Sequence, residues 1–161
     1  MLKPAKVNCM KKSLLWGLAI LVIFLDQISK QWILHNYTPY LPEPITNFFS
    51  ITLAFNTGAA FSILSGPAKW HAWFFIIFSL LMIFLLSMFL ARTKANEYPL
   101  GIGFSLILGG AVSNFIDRLN LGQVVDFLDV HYKTHHWPVF NVADSAICVG
   151  AFWLFIFMQK K

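Results

Sequence analysis

Charge is what this chain has least of. Only 12% of its 161 residues are Asp, Glu, Lys or Arg, against roughly a quarter in soluble domains, which excludes an ordinary water-soluble fold. Cysteine is nearly absent. Cys9 precedes the first long apolar run and Cys148 lies inside the last, so a disulfide framework is excluded, and no CxxC occurs. No Ser/Gly-rich linker, repeat or low-complexity tract divides the chain, so residues 1–161 read as a single integral membrane domain. HExxH is missing, so His131, His135 and His136 near Asp129 read as partly exposed residues of a polar loop with Pro138. GxSxG is missing, and neither cysteine has a histidine nearby in sequence, which leaves only distant partners open for nucleophilic catalysis. The basic residues form no stripe interleaved with aromatics, so nucleic acid is not an expected partner. No metal and no cofactor is expected.

Hydrophobic residues supply the contrast, at 58% of the chain with a mean hydropathy of +0.66. About 20 apolar residues cross the roughly 30 Å hydrocarbon core as a helix. Spans are expected at about 13–34, 70–91, 99–118 and 141–158, with outer segments at 35–69 and 119–140. The third is rich in small residues (Gly101, Gly103, Gly109, Gly110, Ala111) that let helices approach closely. The first follows Lys11 and Lys12 but carries Asp26 and lacks a small-residue cleavage site, so it reads as a retained helix rather than a signal peptide.

Eight of the twelve basic residues (Lys3, Lys6, Lys11, Lys12, Arg92, Lys94, Lys160, Lys161) fall at the two termini and in the loop between spans two and three. By the positive-inside rule both termini are cytoplasmic. Span one then carries Asp26 late, span three carries Asn114, Asp117 and Arg118 late, and span four carries Asn141 and Asp144 early. Three helices bring polar groups to one outer level. In the outer segments, 49–55 alternates at period two and reads as a strand, 122–132 reads as another, and 58–64 as a short surface helix. The expected fold is an all-α membrane protein: a four-transmembrane-helix bundle with a small extracytoplasmic β-sheet and a short surface helix.

Asp126 and Asp144, 18 residues apart, sit where a carboxylate costs a few kcal/mol and usually has a function. Two carboxylates a few ångströms apart cannot both ionise easily, so one holds a proton while the other is charged. Such a pair can activate water without a metal or covalent intermediate: the base takes a proton from water and the acid donates to a carbonyl. Their titrations are coupled, so neither receives a fixed role. Asp is also a favoured N-cap, so the blander reading of Asp144 is that it caps span four. Asn114, Asp117 and Arg118 share a helix face at i, i+3 and i+4. Arg118 can hold substrate carbonyls or orient a carboxylate, and Asp117 can form an ion pair at the helix end. Asn141, one turn before Asp144, can bond the pair or substrate. Asp26 and Lys30, also one turn apart, can simply pair with each other.

In order along the chain stand Asp26-Gln27-Ile28-Ser29-Lys30, Asn56-Thr57-Gly58-Ala59-Ala60-Phe61, Gly109-Gly110-Ala111-Val112-Ser113-Asn114-Phe115-Ile116-Asp117-Arg118, Val124-Val125-Asp126-Phe127 and Phe140-Asn141-Val142-Ala143-Asp144-Ser145. In these five motifs the chain resembles the bacterial lipoprotein signal peptidases (signal peptidase II). Ser113 stands where glycine is expected, a departure read as touching no acid–base group. The resemblance implies an aspartic endopeptidase of the bacterial inner (plasma) membrane. It would cut prolipoprotein signal peptides immediately before a diacylglyceryl-modified cysteine. It implies Asp126 and Asp144 as the catalytic pair, with Asp26, Lys30, Asn56, Gly110, Asn114, Arg118 and Asn141 supporting or lining the site. Its partners would be diacylglyceryl-modified prolipoproteins and membrane lipid, acting on a monomer whose site faces the extracytoplasmic side. A lipid-bound substrate implies a groove open sideways to the bilayer, with Asn56–Leu64 as a lid. The alternatives are a small proton-coupled transporter or channel component, whose acids would lie near the midplane in two similar halves, and a non-catalytic assembly factor.

Overall fold

Long apolar runs fold as helices because a hydrocarbon surround leaves backbone groups no partner outside their own segment. The computed structural model describes residues 4–58 and 69–159. Its elements run α1 (Pro4–Asn36), β1 (Glu43–Thr46), β2 (Phe49–Asn56), α2 (Lys69–Arg92), α3 (Tyr98–Leu121), β3 (Val124–Tyr132), β4 (His135–His136) and α4 (Val142–Met158), with a 3-10 turn at Ala95–Glu97. Proline stands in the first turn of α3, where its missing N–H costs no helical bond. Gly122 ends α3 in the left-handed region (φ 70°), its N–H returning to the Arg118 carbonyl.

Among the described residues three helices are long and apolar enough to cross a membrane: Lys12–Asn36, Trp73–Arg92 and Tyr98–Leu121. With 17 residues, α4 is apolar but shorter. The outward surface is the greasy one. Trp73, Ile77, Phe84, Val149 and Phe152 are exposed, while Asp26, Lys30, Asn114, Asp126 and Asn141 are buried. That inversion of the soluble pattern marks a membrane protein.

Each of the other three helices packs against α3. Against α1 and α4 the approach is close because α3 presents glycine there. A Cβ on Gly109 would meet the Ala19 carbonyl of α1 at 2.7 Å, and one on Gly110 would overlap the Ala143 carbonyl of α4. Leu15, Ala19, Leu86, Leu90 and Leu108 form the buried cluster between helices.

The strands form one antiparallel sheet in the order β1-β2-β3-β4. Ile33 of α1 joins Leu53, Val125 and Phe127 in a second cluster that seats the sheet on the helices. Ile51 pairs with Leu128 and Ala54 with Asp126, so Thr52 and Leu53 together oppose Phe127. This bulge shifts the phase of β2 and brings Asn56 to the side of the sheet where Asp126 points.

Some expectations are revised. The apolar span of α1, Lys12–Asn36, agrees with the one expected at 13–34, and the helix itself extends back to Pro4. His131 lies in β3, within the stretch expected as a strand, whereas His135 and His136 form β4 rather than a loop. Of the expected surface helix at 58–64 only Gly58 is described, and the rest lies outside the described residues, as does most of the Asn56–Leu64 segment.

Candidate active site

Asn141 organises the junction between sheet and helix. It is the N-cap of α4, and its Oδ1 accepts the N–H of Asp144 at 2.8 Å, so Asp144 stands in the first helical turn. The same side chain turns its Nδ2 to Asp126 Oδ1 at 2.7 Å. The other oxygen of Asp126 accepts from Asn56 Nδ2 at 3.1 Å. Asp144 Oδ1 accepts from Asn114 Nδ2 at 2.8 Å, and Asn114 Oδ1 in turn accepts from Asn141 Nδ2 at 3.2 Å. The two aspartates, from a strand and a helix, are thus joined through a pair of asparagine amides. Capping and catalytic readings of Asp144 do not compete, because Asn141 caps and frees the carboxylate.

Both carboxyl groups line one cavity of about 810 Å³ with Asn56, Gly58, Asn114 and Arg118. Its remaining wall is largely apolar, including Tyr40, Phe55, Trp137, Phe140 and Ile147. Burial raises the Asp126 carboxyl to about 7, and the charge of Asp144 adds to the shift; hydrogen bonds from Asn56 and Asn141 and the charge of Lys30 oppose it.

The remaining residues named from the sequence fall into two groups. Arg118 borders the cavity, its guanidinium 5.5 Å from the Phe75 ring centre and 3.4 Å from the carbonyls of Gly58 and Asn114. Asp26 and Lys30 lie outside the cavity wall, in the bundle behind it. Lys30 is 1% exposed and contacts Asp26 Oδ2 at 2.6 Å, Asp117 Oδ2 at 2.8 Å and Asn114 Oδ1 at 2.9 Å. Gly110 acts by lacking a side chain, where α3 meets α4 at Ala143.

Asp117 is an internal ion-pair partner, buried at 4% exposure, rather than a helix-end group at the interface. Ser113 departs from expectation more than its motif implied. Its hydroxyl donates to Asp26 Oδ2 at 2.7 Å, so it does touch an acidic group. Gln27 completes this cluster through Asp117 Oδ1 at 2.8 Å. Sequence reasoning left out the cavity wall. Tyr40 and Trp137 carry no local signal, although a tyrosine at φ 62° marks a constrained turn once the backbone is known. Among the described residues no three of His, Cys, Asp and Glu gather as a metal site.

This arrangement has known counterparts. A family model described as signal peptidase (SPase) II matches residues 18–160. The chain is 44% identical to the lipoprotein signal peptidase of Teredinibacter turnerae over 146 residues, covering 91% of this chain and 87% of that protein. It is 47% identical to the lipoprotein signal peptidase of Coxiella burnetii over 144 residues, covering 89% and 88%. Two bacterial membrane enzymes solved by the in meso method, at 2.3 Å and 1.9 Å, superpose with TM-scores of 0.80 and 0.78 at 32% identity. Each covers 92% of this chain, and 88% and 94% of the solved chains are matched. On the family match and the relatives together, the chain belongs to the signal peptidase II family of aspartic peptidases.

Proposed function

We propose that this protein cleaves the signal peptide from diacylglyceryl-modified prolipoproteins immediately before the lipidated cysteine, with Asp126 and Asp144 as the catalytic pair. Family membership carries the reaction class. The observation supporting the pair is that two carboxyl groups from different elements line one cavity while asparagine amides hold them.

With one proton between them, one carboxylate takes a proton from water as the oxygen attacks the scissile carbonyl, and its partner protonates the developing oxyanion. Collapse of the tetrahedral species with proton transfer to nitrogen releases the amine. Asn56, Asn114 and Asn141 keep the carboxyl planes oriented, and Arg118 at the cavity edge offers donors to substrate carbonyls. The apolar wall suits a lipidated, hydrophobic substrate.

On this reading the chain is one integral domain of four spans, acting as a monomer in the bacterial inner membrane, with both termini cytoplasmic and the site extracytoplasmic. Support for a fourth span comes from α4, 17 residues long and without a charged residue after Asp144. At 1.5 Å per residue it reaches about 26 Å, close to the core thickness. The proton-coupled transporter has no specific observation in its favour.

The test is cleavage of a purified diacylglyceryl-modified prolipoprotein in detergent or lipid. Asp126→Asn and Asp144→Asn should each fold and lose turnover by roughly three orders of magnitude. Near-normal turnover in either folded variant overturns the assignment of the pair.

A further inference from the structure

Behind the cavity the bundle holds a charged cluster that proton chemistry does not require. Lys30 has three N–H donors and spends them on Asp26, Asp117 and Asn114. A structural ion pair needs one carboxylate, and two are buried here at 0% and 4% exposure. Each then makes one bond to a backbone N–H. Asp26 Oδ1 accepts the N–H of Ala143 at 2.7 Å, and Asp117 Oδ2 accepts the N–H of Val125 at 3.1 Å. Those two residues immediately precede Asp144 and Asp126. The third donor of Lys30 reaches the side chain that bonds Asp144 itself.

We propose that Lys30, bridging Asp26 and Asp117, is a positioning residue that sets the separation and orientation of the catalytic pair. The inference rests on the proposed roles of Asp126 and Asp144. One end of the clamp holds the backbone before Asp144 and the other the backbone before Asp126, so the ammonium is the common joint of strand β3 and helix α4. It also fixes the Asn114 amide. Turned over, that amide would aim N–H groups at the ammonium and at Asn141 Nδ2, two donor–donor clashes, and would withdraw the donor from Asp144. Gln27 and Ser113 close the cluster from α1 and α3, giving Asp117 and Asp26 respectively a third donor and bonding to each other.

The experiment compares Lys30→Met and Asp117→Asn with the unmodified protein, using a cleavable diacylglyceryl prolipoprotein. A diacylglyceryl peptide whose scissile amide is N-methylated serves as the probe that counts binding-competent molecules. Per competent molecule, kcat should fall about 100-fold in Lys30→Met and about 10-fold in Asp117→Asn, the scale of an ångström-level misplacement. KM and probe affinity should stay within about threefold, since neither residue lines the cavity. A cluster serving only to hold the bundle together would lower the competent fraction and leave kcat per competent molecule unchanged. That result, or a rise in KM at constant kcat, overturns the proposal. Should Lys30→Met yield no competent protein, Asp117→Asn decides alone, because it preserves shape and removes one charge. Cleavage by the unmodified protein, abolished in Asp126→Asn, shows that the underlying reading holds whichever way these variants fall.

Discussion

At the scale of the residue, Asn141 does two jobs that substitution can separate. Its Oδ1 caps α4 and its Nδ2 donates to Asp126. Serine supplies a capping oxygen but has no amide to offer. Asn141→Ser should keep the helix within a few tenths of a kcal/mol of the original stability, whereas Asn141→Ala should lose about 1 kcal/mol. Both should lose turnover. Chemical or thermal unfolding in detergent, read beside the cleavage assay, checks the split; equal stability loss in both would refute the capping role. Titration gives a second expectation. Asp126 is raised to about 7, so it is protonated below that value and charged above it. The singly protonated pair is lost as pH rises through this range, and kcat should decline on the alkaline side with an apparent midpoint near 7. Folding carries the same sign. A folded value above the ordinary 3.8 means the native state binds the extra proton, so this group's stabilising contribution is present at low pH and lost as pH rises from about 4 to about 7. Between about pH 5 and pH 8 the unmodified protein should lose more thermal stability than Asp126→Asn does. A larger fall in the variant would show that the carboxyl is not desolvated.

At the scale of the element, the site depends on how closely α3 lies against α4. Gly110 meets the carbonyl of Ala143, the residue before Asp144, so any side chain there pushes the start of α4 away from Asn114. Gly110→Val should therefore reduce turnover about 100-fold and lower folded yield. Gly17→Ala should be silent, because a Cβ at Gly17 meets nothing within 4 Å. Size-exclusion recovery and specific activity measure both, and an active Gly110→Val would remove close packing as the cause. These elements differ in how readable they were. Apolar runs announced the helices and alternation announced β2, whereas β3, expected at 122–132, carries no such alternation. The first turns of α1 hold Lys6, Lys11 and Lys12, which dilute any hydropathy window and hid that extension. β1 contains Pro44 and is fully exposed, and β4 is two residues long, so neither carries a pattern. The bulge at Thr52–Leu53 left the apolar alternation of β2 intact in sequence while changing which way Asn56 points. Motif residues named the polar site, because acids and amides are rare in such a chain. The apolar cavity wall was illegible, since aromatic residues abound and only tertiary contact selects Tyr40 and Trp137.

At the scale of the whole molecule, the question is which side of the membrane the sheet occupies. The ends of α1 and α3 and the start of α4 converge on the sheet, so polar groups collect at one end of the bundle and lipid-facing groups cover the rest. Among the described residues Lys12, Arg92 and Lys94 lie at the other end of the bundle, which the positive-inside rule would set against anionic cytoplasmic lipid. The sheet should therefore face outward. Cysteine labelling decides it. With Cys9 and Cys148 changed to serine, a single cysteine replaces Thr134, in the exposed turn between β3 and β4, or Asn96, exposed in the turn between α2 and α3. A membrane-impermeant maleimide added to intact spheroplasts should label the Thr134→Cys protein at once and the Asn96→Cys protein only after permeabilisation. The opposite pattern would place the aspartates on the cytoplasmic side and overturn the proposed orientation.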